Sequence, residues 1–216
     1  MKIAIFGGTG RVGREVLSKA MADGHQVRVL VRDIQRLETL LEASFAGMKR
    51  RDTLQVYEGD ARSDQSVRAA IAGADAVFSA LGTDGGTVLS ETMPHILSAM
   101  SESRGRRLVT IGTAGILRSR AEPDRLRYES SESRRTQTRA ALEHRRVWEM
   151  LELSDANWTI VCPTYLPDGE RTGQIRVERE YLPAGGREIS VPDTADFAYK
   201  QLWDLSFTRC RVGICY

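Results

Sequence analysis

The sequence predicts an α/β fold organised as a doubly wound parallel sheet, and three observations predict it. The chain opens on a short β-branched run, Ile3 to Phe6, that stops at Gly7-Gly8 and passes straight into apolar positions at helical spacing. The same strand, helix, strand order then recurs along the chain. A length of 216 residues with 41% apolar content supplies one core of that size and falls short of two.

Ile3 to Phe6 shows no polar alternation, the mark of a strand covered on both faces. From Arg11 onward Val12, Val16, Leu17, Ala20 and Met21 recur on one helical face until Gly24 stops the helix. Gln26 to Val31 and Thr53 to Glu58 are the next strands, Ser63 to Ala72 is a helix, and Ala74 to Leu81 is a strand broken by Gly82. Thr87 to Ser103 follows as a helix, Arg107 to Ile111 as a strand, Arg139 to Ser154 as a helix and Trp158 to Cys162 as a strand, giving a sheet of six or so. Arg118 to Thr138 holds Pro123, several Ser and Thr, and many arginines without a period. Two readings fit it, a surface segment over a pocket and a merely solvated loop. The C-terminal part offers strand-like pieces at Gln174 to Val177 and Arg187 to Val191, then a helix from Asp193 to about Leu205. A single domain over 1–216 is expected, with about 163–192 forming a small substrate-side lobe.

Lys plus Arg total 31 against 29 Asp plus Glu, a formal charge of +2, so no strong net field calls for nucleic acid or an anionic membrane. Arginine outnumbers lysine 27 to 4, and twelve arginines fall between Ser101 and Arg146 beside six acids. Nucleic-acid binding would want aromatics interleaved there, and the stretch holds only Tyr128. The expected partner is a small molecule, with neither nucleic acid nor membrane, and no pattern speaks for an oligomeric state. Cys162, Cys210 and Cys215 are odd in number and lack paired spacing, against a disulfide framework or a Cys-ligated metal; a reducing cytoplasm is the expected location. His25, His95 and His144 lie far apart with no i, i+4 pair, so no metal site is expected. The opening run lacks the core and cleavage site of a signal peptide, and no later run approaches spanning length.

Gly7-Gly8-Thr9-Gly10-Arg11-Val12-Gly13 follows the first strand directly and opens the first helix. Gly7 permits the tight turn, Gly10 the close approach of a pyrophosphate, and Gly13 the packing of helix on sheet, while the helix N-terminus offers free N–H groups and a positive dipole. In that context the glycines read as a dinucleotide site and the fold as Rossmann-type, with contacts expected from Gly7, Thr9, Gly10, Arg11, Val12 and Gly13. At the end of the second strand Arg32 precedes Asp33, with Arg36 one helical turn on. An arginine there pairs with the 2′-phosphate of NADP(H), whereas an acid takes the ribose hydroxyls of NAD(H). NADP(H) is preferred and NAD(H) remains possible, since Asp33 either binds ribose or caps the next helix. Asp60 and Ala61 after the third strand, and Leu81, Gly82 and Thr83 after the fourth, fall at carboxyl ends where such sheets bind ligand; ordinary turn chemistry is the alternative.

These motifs, with Trp158-Thr159-Ile160-Val161-Cys162-Pro163 and Ile189-Ser190-Val191 before Asp193, resemble the atypical short-chain dehydrogenase/reductases. Within them the likeness is to the NAD(P)H-binding group that contains biliverdin reductase B (flavin reductase) and NmrA-like proteins. The resemblance implies NADPH in an extended cleft and a shallow pocket for planar, often anionic acceptors such as flavins or linear tetrapyrroles. It places Thr113 where the family's catalytic serine or threonine stands, Tyr165 where a substrate-side histidine would be, and His144 near the family's missing tyrosine and lysine. His144 equally fits a structural role. The usual Tyr-x-x-x-Lys acid/base pair is absent. Three functions follow: an NADPH-dependent reductase, an NmrA-like redox sensor working through the arginine-rich segment, and a cofactor-retaining epimerase or dehydratase.

Overall fold

A computed structural model describes residues 1–44, 53–103, 107–133 and 136–216. Its elements run β1 (Lys2–Phe6), α1 (Arg11–Ala22), β2 (Gln26–Val31), α2 (Ile34–Ser44), β3 (Leu54–Glu58), α3 (Asp64–Ile71), β4 (Ala76–Ser79), α4 (Val88–Ser101), β5 (Arg107–Ile111), α5 (Arg139–Glu152), β6 (Asn157–Pro163), β7 (Arg176–Arg179), α6 (Val191–Lys200) and β8 (Cys210–Cys215). Short 3-10 turns at Ala114–Ile116 and Arg127–Glu129 lie between β5 and α5. Among the described residues the strands form one sheet in the order β3-β2-β1-β4-β5-β6-β8-β7. Every pairing is parallel except that of β7 with β8. The predicted doubly wound Rossmann-type sheet is therefore present, with eight strands in place of six or so.

Strand alternation divides the core into two halves. Ala4 and Phe6 of β1 pack with apolar residues of α3, α4 and α5, while Ile3 and Ile5 pack with those of α1, α2 and α6. Chain order reverses direction between β1 and β4, which opens a crevice above their carboxyl ends.

The C-terminal region departs most from expectation. The piece expected at Gln174 to Val177 is the edge strand Arg176–Arg179, and Arg187 to Val191 makes only a single parallel bridge, Tyr165 with Glu188. Helix α6 begins earlier and ends at Lys200, its N-terminus capped by Ser190 Oγ accepting from the Asp193 N–H. Strand β8 went unpredicted because Arg211 and Gly213 interrupt its apolar run. Arg211 is buried nonetheless, since its guanidinium pairs with Glu180, donates to the Ile116 carbonyl at 2.5 Å, and lies 3.7 Å over the Trp148 ring. No described helix is long and apolar enough to cross a membrane.

Candidate active site

The dinucleotide groove starts from the turn after β1. Gly7 has φ +76°, in the left-handed region, and a Cβ there would lie 2.5 Å from the Ala80 carbonyl oxygen. Gly10 caps α1 and donates its N–H to the Gly7 carbonyl at 2.9 Å. No acidic side chain stands in the first turn of α1 and no side chain caps it, so its positive end is left to a ligand. A groove of about 160 Å³ results, lined by Gly7, Thr9, Gly10, Arg32, Arg36, Asp60, Ala61, Leu81 and Gly82. The absence of side chains at Gly7 and Gly10 leaves a cradle for a pyrophosphate, so these residues fit the dinucleotide.

The remaining residues expected to contact cofactor stand elsewhere. Val12 and Gly13 are buried behind the loop, where Gly13 packs so close that a Cβ would sit 2.0 Å from the Gly7 oxygen. Arg11 turns away to the Leu166 carbonyl at 2.9 Å and Asp168 Oδ1 at 3.3 Å. Thr83 closes a turn, its carbonyl accepting from the Gly86 N–H.

Asp33 Oδ1 accepts from the Arg36 N–H at 2.9 Å, so its carboxylate caps α2. Arg32 and Arg36 remain as the charged groups of β2's end in the groove. Asp60 Oδ1 takes the Arg62 N–H at 2.9 Å, the turn chemistry foreseen as its alternative, and the residue still lines the groove.

A second cavity, of about 520 Å³, opens beside the carboxyl ends of β5 and β6. Because β4, β5 and β6 are sheet neighbours, groove and cavity lie along the same edge of the sheet. Thr113 and Tyr165 line the cavity together. Thr113 Oγ1 accepts from the Gly115 N–H at 3.4 Å, which occupies a lone pair and leaves the hydroxyl proton for a ligand. Tyr165 is 59% exposed at the rim.

His144 is not brought to this cavity. It lines a separate space of about 10 Å³ with Leu81, Thr92, Thr110 and Val147, and burial, opposed by Glu143, lowers its pKa to about 4.

Of the cavity's lining the sequence reading named only Thr113 and Tyr165 as site residues; among those it did not place there are Arg127, Tyr128 and Arg187. Arg127 Nε is buried without a hydrogen-bond partner, its nearest acid Glu132 standing 3.9 Å away. Arg187 is exposed and makes no ion pair among the described residues. Tyr128 Oη donates to Glu129 Oε1 at 2.8 Å and accepts from Arg145 Nη1 at 3.0 Å. The sequence offered no signal that would turn them to one cavity, because loop residues without a period give no register from which to judge facing.

Comparison with known proteins agrees with this architecture. The family model described as NAD(P)H-binding matches residues 7–204. Uncharacterized protein YwnB of Bacillus subtilis is 25% identical over 210 residues, covering 95% of this chain and 92% of that one. A Burkholderia pseudomallei structure provisionally described as an exported protein is 25% identical with a TM-score of 0.81, covering both chains completely. A Streptococcus pneumoniae structure provisionally described as an NADH-flavin reductase is 20% identical with a TM-score of 0.80, covering 100% of this chain and 99% of that one. At that identity the last likeness speaks for the fold.

Proposed function

The chain belongs to the NAD(P)H-binding family, and from that premise we propose that it is an NADPH-dependent reductase of a planar small-molecule acceptor such as a flavin, quinone or tetrapyrrole. The coarser statement stands by itself: this is an NAD(P)H-dependent oxidoreductase of the atypical short-chain dehydrogenase/reductase type. One observation carries the finer one. A cavity of about 520 Å³ walled by Thr113, Tyr128 and Tyr165, with Arg127 on its lining, lies on the same sheet edge as the glycine cradle.

When bound, the nicotinamide supplies a hydride. Gly7 and Gly10 admit the pyrophosphate against the start of α1, and Leu81 and Gly82 border the path toward the cavity. Arg32 and Arg36 favour a 2′-phosphate, while one oxygen of the Asp33 carboxylate is engaged at the cap of α2. Thr113 orients an acceptor carbonyl through its free O–H, Tyr165 covers the flat face, and Arg127 offers charge to an anionic group. Orientation of this kind accounts for much of a hydride-transfer enzyme's rate.

In the arginine-rich segment of the sensor reading, Arg120 pairs with Glu178 and Arg125 with Glu122, and Arg134 and Arg135 lie outside the described residues. Three free, buried cysteines suit a reducing compartment.

Steady-state NADPH and NADH oxidation with FMN, a quinone and a linear tetrapyrrole tests the proposal. Acceptor-dependent consumption that prefers NADPH and falls in Thr113→Ala is expected. Tight NADPH binding without turnover of any acceptor would count against a reductase.

A further inference from the structure

Tyr128 and Arg145 meet at the wall of the acceptor cavity although 17 positions separate them in sequence. The same Nη1 that donates to the phenolic oxygen also reaches Glu129 Oε1 at 2.7 Å, and Nε reaches Glu149 Oε1 at 2.7 Å. The guanidinium is thereby fixed on two carboxylates from two directions. Gly115 lies between Thr113 and Tyr128 on the cavity lining: a Cβ there would stand 3.4 Å from Tyr128 Cβ and 3.7 Å from Thr113 Cγ2, both ordinary contacts, and 3.3 Å from Ala141 Cβ. Thr113 and Tyr128 therefore share one wall.

We propose that Tyr128 is the proton donor of the reduction and Arg145 its positioning residue, a pair assembled from a loop turn and α5 where the Tyr-x-x-x-Lys sequence is missing. The inference rests on the reductase reading above. A quinone or other carbonyl acceptor that takes up a hydride gains two electrons and gathers negative charge on oxygen. There the Tyr128 O–H bond breaks, the proton passes to the acceptor oxygen, and the electron pair stays on the phenolate. Arg145 holds that charge until solvent returns a proton, so each turnover oxidises one nicotinamide, reduces one acceptor and consumes one proton. The charged groups around the phenol are Arg145 and Glu149 from α5, and Arg125, Arg127, Glu129 and Glu132 from the loop. Burial raises the phenol's pKa, against the pull of Arg145 and with the help of Glu129, so the phenol keeps its proton; the O–H donates to Glu129 Oε1 at 2.8 Å and must turn from that carboxylate to the acceptor oxygen before transfer.

The test measures kcat for menadione with NADPH from about pH 6 to 11, in water and deuterium oxide, for wild type, Tyr128→Phe, Arg145→Met and Arg145→Lys. Nicotinamide fluorescence gives the NADPH Kd, and the ultraviolet absorbance of phenolate, wild type minus Tyr128→Phe, gives the tyrosine titration without turnover. Tyr128→Phe should lower kcat on the order of a hundredfold and abolish the solvent isotope effect, with Kd kept within about twofold. Arg145→Met should move both the alkaline limb of the rate profile and the phenol titration upward, and Arg145→Lys should restore part of each. Undiminished kcat in Tyr128→Phe overturns the donor and leaves the reductase standing. A phenol titration indifferent to Arg145→Met overturns the pairing. A wild type that reduces no acceptor overturns the reductase reading and the donor with it.

Discussion

Arg32 and Asp84 face each other across the dinucleotide groove, with Nη2 3.3 Å from Oδ2. They follow β2 and β4, the strands that flank β1, and both side chains are about two-thirds exposed. As a surface ion pair this contributes little stability. Its consequence is competition, because a 2′-phosphate on Arg32 must draw the guanidinium from Asp84. Arg32→Ala should weaken NADPH roughly ten- to a hundredfold, the worth of a charge-assisted hydrogen bond, while sparing NADH. Asp84→Asn should tighten NADPH. Fluorescence titration with both cofactors decides it: equal losses in Arg32→Ala would remove the 2′-phosphate assignment.

The glycine cradle makes a prediction that separates folding from binding. A Cβ on Gly13 would stand 2.0 Å from the backbone oxygen of Gly7, whereas one on Gly10 would stand 3.2 Å from the same atom. Gly13→Ala must push helix from loop and should cost about 1–3 kcal/mol in urea unfolding. Gly10→Ala should unfold nearly as wild type does and yet lose NADPH, since its methyl group enters the space a pyrophosphate needs. If Gly10→Ala bound normally, the cradle would have to lie elsewhere in the groove.

How far such features were legible depended on whether they carried a local period. Val12, Val16, Leu17 and Ala20 announced α1 because one face of a helix is written at regular intervals, and Gly7 announced the turn because only a residue without a side chain fits beside Ala80. Strand β8 was hidden by Arg211, whose burial is made tolerable by Glu180, the Ile116 carbonyl and Trp148, partners far away in sequence. Asp33 was ambiguous between ribose and cap because both uses suit an acid at a strand end, and only the fold shows Arg36 N–H on its Oδ1. The acceptor wall was the least legible part, since Tyr128 and Arg145 meet through a tertiary contact between a loop and a helix.

The pKa of His144, lowered to about 4 by burial, gives a pH prediction. The folded state holds the imidazole neutral, whereas the unfolded chain takes up a proton near the ordinary value of about 6.5. Protonation therefore favours unfolding, and this contribution to stability is lost as pH falls from about 6.5 toward 4. Urea midpoints of wild type should decline across that window, and His144→Phe should lack this part of the decline. Turnover between pH 5 and 8 should show no inflection that disappears in His144→Phe. An inflection that does disappear would return His144 to the catalytic set.

Arg11 links the two halves of the site. From the first position of α1 its Nη1 donates to the Leu166 carbonyl at 2.9 Å, next to Tyr165 on the acceptor cavity, and reaches Asp168 at 3.3 Å. Behind it Arg171 makes a parallel connection to Glu15 and Asp196, so the segment after β6 is laced to α1 and α6 by exposed arginines. Each bond is weak by itself, and their joint effect is to fix where Tyr165 stands. Arg11→Ala should therefore raise the KM of the acceptor several-fold while changing the NADPH Kd less, because the guanidinium points away from the groove. A larger loss in NADPH affinity than in acceptor KM would mean that Arg11 swings to the phosphates on binding. The coupling would then run the other way, with the cofactor releasing Leu166 and setting Tyr165 free to close over its acceptor.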